Sequence, residues 1–200
     1  YLDVLLLHNP DPALYAGTDP LWRALDDLRR EGLIGHYGAS LDTASEVEDC
    51  LGNTDSEVLE VLFNIFHQDV RRAFHTVGKR RAGVLAKIPL DSGWLSGRYH
   101  DRSRFEGIRA RWSSEEIARR AGLVERLAWL TAEGGSLPHQ ALAYLLSYDE
   151  VSAVLPGMRT PSHLRHNLRA AGARLPAADR DRLERFWEEF TEGGRDPLPW

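Results

Sequence analysis

Short aliphatic runs alternating with longer amphipathic ones constrain this chain more than any other feature. Val4 to Leu7, Leu33 to Ala39, Val58 to Phe63, Gly83 to Ile88 and Val151 to Leu155 have strand length and are mostly apolar. Between them lie helix signals. Asp19 stands as an N-cap before Pro20, whose missing N–H costs nothing in a first turn, and Gly32 closes that helix. Leu21, Trp22, Ala24, Leu25 and Leu28 mark its apolar face. Asp42 is expected to cap a short helix to about Leu51, and Asp69 to begin one carrying Val70, Ala73, Phe74 and Val77. An irregular segment follows from Pro89 to about Trp112. Ser113 then caps a helix through Ile117, Ala121, Val124, Leu127 and Leu130. Further helices cover Leu137 to Leu146, Thr160 to Leu168, and Asp179 to Phe190. This rhythm predicts parallel βαβ units, and strands apolar on both faces suit a parallel sheet covered on both sides. Periodicity does not separate an open sheet from a barrel, and five units are too few to close a barrel of eight.

The 200 residues suit one domain with a sizeable core, and 42% of them are hydrophobic. No run of about 18 apolar residues exists to span a membrane. The net charge of −5 argues against a nucleic-acid partner, and Arg71-Arg72 and Lys79-Arg80-Arg81 are expected to be solvated helix ends. The single cysteine, Cys50, is expected to pack in a reducing cytoplasm. The chain opens inside a strand pattern, Tyr1-Leu2-Asp3-Val4, with no signal peptide and no preceding turn. A truncated gene or an excised fragment is the expectation this raises. The stretch Thr191 to Trp200 is expected to be a polar end.

Ligand groups in parallel α/β folds come from loops just after the strand C-termini. Those loops here are His8-Asn9-Pro10, Gly38-Ala39-Ser40, Phe63-Asn64, Pro89 to Gly93, and Pro156 to Arg159. Each sets small or polar residues directly after an apolar run. His8, ending an aliphatic strand, can orient or protonate a substrate oxygen, or else simply bond a neighbouring loop. Gly157 and Arg159 precede a helix N-terminus at Thr160, with His163 and Asn167 spaced i, i+4 on that helix. The segment is either an anion site or a capped helix with a solvated polar face. His163 and His166 have no acid nearby to complete a metal site, and none is expected. No G-x-G-x-x-G, Walker loop, H-E-x-x-H or C-x-x-C occurs, which argues against a Rossmann dehydrogenase.

At these residues the chain resembles the aldo-keto reductases. Tyr1 to His8 is similar to the family's fourth barrel strand, which ends in its active-site histidine. Trp22, Ala24-Leu25, Leu28 and Glu31 to Ile34, then Gly38-Ala39-Ser40, resemble the next helix and strand. Pro89-Leu90, Gly93, Leu95, Gly97 and Tyr99 are similar to the pyrophosphate-covering loop, and Val154 to Asn167 to the adenosine-phosphate site. Each motif is weak alone; the ordered set covers essentially the whole chain.

The resemblance implies an incomplete (β/α)8 TIM barrel, with about five βα units and C-terminal helices. It implies an oxidoreductase that reduces small aldehydes or ketones with NAD(P)H. On matching positions His8 would orient the carbonyl, and Ser40 and Glu60 would face the nicotinamide carboxamide. Leu90, Ser92, Gly93 and Leu95 would line the pyrophosphate loop, and Gly157, Arg159, His163 and Asn167 would hold the adenosine end. Arg159 beside a helix N-terminus favours NADP(H) over NAD(H). Three departures weaken the match: Leu41 for an asparagine, Glu60 for a glutamine, and Lys87 where many members stack an aromatic. The family's catalytic tyrosine, lysine and aspartate match no position, and neither Tyr15, Tyr37 nor Lys87 fills those roles by motif. Two alternatives stand beside this reading: a non-catalytic nicotinamide-nucleotide sensor or accessory subunit, and another phosphate-binding barrel enzyme.

Overall fold

The computed structural model describes residues 1–132 and 134–200, with the backbone alone for Ile108. The chain falls into two compact units. One comprises Tyr1–Phe63, Gln68–Lys87 and Tyr148–Leu155; the other comprises Asn64–His67, Ile88–Ser147 and Pro156–Trp200.

The first unit holds a parallel sheet of β1 (Leu2–Leu7), β2 (Ile34–Leu41), β3 (Val58–Leu62), β4 (Gly83–Lys87) and β5 (Val151–Val154), in that spatial order. A doubly wound sheet reverses its strand order at a switch point. Strictly sequential order is instead that of an arc of a (β/α) barrel, as expected from the sequence. The register places Leu6, Gly38 and Val58 side by side across three strands, and Ser40, Glu60 and Leu85 across the next three.

The two faces differ. Alternation along the strands puts Tyr37, Ala39, Leu41, Leu59, Val61, Val84 and Ala86 on one face, where all are buried. On the other face Glu60 and Leu85 are half-buried, and Val4 and Leu2 are exposed. On that second face Ile34, Ser40 and Leu62 are nonetheless buried, so the expected cover on both faces is complete on one and partial on the other. The edge strand β1 carries most of the difference.

Helices α1 (Pro20–Arg30), α2 (Ala44–Asn53) and α3 (Phe74–Arg80) complete this unit. Asp19 caps α1, its carboxylate accepting the Leu21 N–H at 2.8 Å. The cap of α2 is Thr43 rather than Asp42. Thr43 and Glu46 form a reciprocal capping box, which leaves the Asp42 carboxylate available elsewhere. Asp69 begins a 3-10 turn, Asp69–Ala73, and not the helix itself. Its carboxylate accepts the Ala44 N–H at 2.8 Å, at the positive end of α2. Cys50 is buried, and burial pushes its thiol pKa up, which suits a packing residue.

The second unit contains α4 (Ser114–Glu125), α5 (Leu137–Leu146), α6 (Pro161–Leu168) and α7 (Ala177–Phe190). Helix α4 stops at Glu125, and Leu130 belongs to a separate 3-10 turn, Ala128–Thr131. The segment before α4 is less irregular than its sequence suggests. It has two 3-10 turns, Asp91–Ser96 and Gly107–Arg111, and an aromatic cluster of Trp94, Tyr99, Phe105 and Trp112. The C-terminal stretch is docked rather than solvated, with Thr191 and Leu198 buried. No helix among the described residues is long and apolar enough to cross a membrane.

Candidate functional site

In the first unit the C-terminal ends of β1, β2 and β4 meet at one ammonium group. Lys87, the last residue of β4, donates to the Ser40 hydroxyl at 2.7 Å and to Asn9 Oδ1 at 3.1 Å. It also lies 2.8 Å from Asp42 Oδ1. Two of the ammonium's three protons thus go to Ser40 and Asn9, and Asp42 contributes its charge as an ion pair. Ser40 is buried under this clasp, and its hydroxyl proton has no acceptor among the described residues, leaving it free to donate. Half-buried Glu60 lies beside Ser40 in the register. His8 is exposed directly after β1, next to Asn9, with no partner among the described residues.

In the sequence Asn9 stood only as part of the loop after the first strand, Asp42 only as a helix cap, and Lys87 only as a missing aromatic. The available signal was a lone lysine ending a strand while two other strand ends offered oxygens. We expect Lys87→Met to lower the unfolding free energy by about 1–3 kcal/mol, because it strands the buried Ser40 hydroxyl. Lys87→Arg should recover part of this. Urea unfolding checks it, and an unchanged midpoint would mean that the clasp does not hold the strand ends.

Tyr15 and Tyr37, both buried, are each committed to a partner within this unit. Tyr15 donates to the Pro10 carbonyl at 3.2 Å, and Tyr37 to Asp26 at 2.8 Å. Burial first, then nearby carboxylates, hold both phenols protonated well above their ordinary range.

The second unit carries the two loops expected to hold phosphates. After β4 the chain turns through Ile88 at φ +55°, Asp91 at +45°, Ser92 at +52° and Gly93 at +104°. Three non-glycine residues in the left-handed region cost about 1 kcal/mol or more each, and such strain persists only where packing over-determines it. Here Leu95 is buried and donates its N–H to Leu90 O, so it supports the turn from beneath. Leu90, Ser92 and Gly93 are half-buried, and the Ser92 hydroxyl has no partner among the described residues.

After β5, Thr160 caps α6 by accepting the His163 N–H at 3.2 Å. Asn167 Nδ2 reaches back to the Gly157 carbonyl at 3.5 Å, bringing two of the expected residues together. His163 is half-buried. Arg159 is exposed, without an ion pair or hydrogen bond among the described residues. His166 bonds the Ser162 carbonyl on its own helix at 2.7 Å.

A parallel sheet of strands in sequential order, with polar groups gathered at its C-terminal ends, defines an α/β protein of the (β/α)-barrel class. The sequence profile of the aldo/keto reductase family matches residues 1–188, and the chain belongs to that family. An uncharacterized oxidoreductase of Bacillus subtilis, YqkF, is 24% identical over 178 residues, covering 87% of this chain and 56% of that protein. The NADH-specific methylglyoxal reductase of Escherichia coli is 23% identical over 186 residues, covering 90% of the chain and 57% of that protein. The chain thus spans little more than half the length of these relatives. Among solved structures, an aldo-keto reductase of Bacillus halodurans in its holo form superposes with TM-score 0.73 at 21% identity, covering 93% of this chain and 59% of that one. The glycerol dehydrogenase of Gluconobacter oxydans gives TM-score 0.75 at 19% identity, covering 94% and 58%. At these identities the likeness is one of fold.

Proposed function

We propose that the whole protein reduces small aldehydes or ketones to alcohols with a nicotinamide dinucleotide. What supports this reading is the gathering of three strand ends by Lys87, which joins Ser40 to Asn9, the neighbour of His8 in the chain. His8, solvent-accessible and unengaged, orients the substrate carbonyl. Ser40 donates its remaining proton towards the carboxamide, with Glu60 alongside it. Leu90, Ser92 and Gly93, with Leu95 beneath, shape the diphosphate loop; Gly157, Arg159, His163 and Asn167 hold the adenosine end. The residues fit such a ligand, because the unpaired Ser92 hydroxyl and the free Arg159 guanidinium are donors suited to phosphate oxygens. The cofactor, when bound, supplies the hydride. The proton comes from the family's tyrosine, tuned by its lysine and aspartate; none of the three matches a position in this chain. We read residues 1–200 as one domain, the C-terminal portion of the barrel.

NADPH quenching and aldehyde-dependent NADPH oxidation by the whole protein test this reading. Binding without turnover would return it to a nucleotide-binding accessory protein, and the absence of binding would end it. Within it, NADP(H) is the preferred cofactor, because Arg159 can grip a 2′-phosphate. A relative named for NADH specificity makes that preference worth measuring. For Arg159→Ala we expect the NADPH preference, as a ratio of dissociation constants, to fall about tenfold, the loss of one charge-assisted hydrogen bond. An unchanged ratio would remove Arg159 from this role and leave His163 as the next candidate.

A further inference from the structure

Asp91, in the strained turn after β4, is fully buried. A buried carboxylate needs compensation, and it has two partners. His67 Nε2 lies 3.3 Å from Oδ1, and Arg120 Nε lies 3.4 Å from Oδ2. Arg120, on α4, is itself fully buried, and both partners are set by the C-terminal tail. Arg120 Nη2 donates to the Pro199 carbonyl at 2.5 Å, and its guanidinium lies over the Trp112 ring. The His67 ring packs edge-on against Trp200 at 5.7 Å, and Arg111 lies over the other side of the cluster, 5.1 Å from Trp200 and from Trp112. One residue earlier on α4, Arg119 donates to the Asp196 carboxylate at 2.7 Å and to its carbonyl at 2.9 Å. Asn64 ties the remaining corner, accepting the His67 N–H through Oδ1 and donating to the Ile88 carbonyl at 2.9 Å.

We propose that Asp91, Arg120 and the tail Asp196–Trp200 form a latch that fixes the turn Leu90–Gly93 and so sets affinity for the diphosphate of the dinucleotide. The inference rests on the cofactor reading above but concerns residues outside the expected contact set. The turn is left-handed at Asp91 and Ser92, which neither side chain favours, so something must hold it. The buried Asp91 carboxylate is a charged anchor for it, and that anchor is held through Arg120 and His67 by the tail. Asp91 and Arg120 are positioning residues: neither is placed to touch the ligand, and they act by aiming Ser92 and Gly93.

The test compares NADPH with adenosine 2′-phosphate, which carries the adenosine end but no diphosphate, on the whole protein. In Arg120→Met, NADPH should bind at least about tenfold more weakly while adenosine 2′-phosphate stays within about twofold, since only the diphosphate turn is disturbed. Arg120→Lys, which keeps a cation, should restore part of the loss. Trp200→Ala, at a partly exposed position that leaves every buried charge paired, serves if Arg120→Met does not fold. It should weaken NADPH several-fold with the same selectivity. Equal loss for both ligands, or no loss for either in Trp200→Ala, would overturn the latch. A wild-type protein that binds neither ligand would overturn the cofactor reading instead.

Discussion

His8→Ala should lower kcat of the whole protein by about 10²- to 10³-fold while the cofactor dissociation constant moves less than about twofold. The asymmetry follows from where the side chain sits. His8 follows β1 directly, is exposed, and makes no hydrogen bond or ion pair among the described residues. An imidazole with no structural duties leaves little behind when removed, so the fold and the cofactor loops should not register its loss. In the proposed role its contribution is made at the reacting carbonyl, as charge builds on oxygen, and such interactions appear in kcat rather than in ground-state binding. His8→Gln, which keeps a donor but cannot titrate, should fall between the two. Steady-state kinetics with cofactor titration settles it. Parallel losses in turnover and cofactor affinity would make His8 a structural residue.

Gly38→Ala should cost about 3–5 kcal/mol of unfolding free energy, well above an ordinary overpacking substitution. Gly38 lies mid-strand in β2, paired with Leu6 on one side and Val58 on the other. A Cβ built there would sit 1.7 Å from the Val58 carbonyl oxygen. The obstacle is backbone, so no rotamer change relieves it, and β2 and β3 must separate or slip. Slippage by one residue would turn Ser40 away from Lys87 and dissolve the clasp as well. Gly52→Ala makes the control: it lies in α2 with nothing within 4 Å of the added Cβ, and should be neutral or stabilise by up to about 1 kcal/mol. If both variants unfold at the wild-type urea midpoint, the pairing of β2 with β3 is wrong.

The elements were legible because their signals are local. Strand and helix periods, the Asp19-Pro20 start and the Ser113 cap all lie within a few residues of what they control. The ordered strand-end motifs were enough to reach the family. Apart from the cap of α2, where the Thr43–Glu46 box is a local signal, the misses share one cause, a partner far along the chain. Asp42 and Thr43 are both good caps by type. What separates them is Glu46, which completes a box with Thr43, and Lys87, which lies 2.8 Å from Asp42. Lys87 finds Ser40 at a separation of 47 residues and Asn9 at 78, beyond any pattern in a window. Arg120 sits among charges on an amphipathic helix and reads as solvated; only the fold reveals that Asp91 and the Pro199 carbonyl surround it. The tail was misjudged likewise, because its few apolar residues acquire a core only from the helix they dock on.

The ammonium that gathers three strand ends also governs how this protein can change by mutation. Asn9, Ser40 and Asp42 all depend on the one Lys87 ammonium, two through hydrogen bonds and one through an ion pair, so their substitution effects should not add. Losing the lysine alone leaves a buried hydroxyl and a carboxylate wanting a donor, and losing either oxygen partner leaves a cation short of an acceptor. An aromatic at position 87, as many family members are expected to carry, would therefore be tolerated better once Asp42 had already become neutral than before. The order of substitutions is constrained even where the endpoints are equally stable. Along that route a two-step path would have to begin at Asp42, the one charged partner of the ammonium among the described residues.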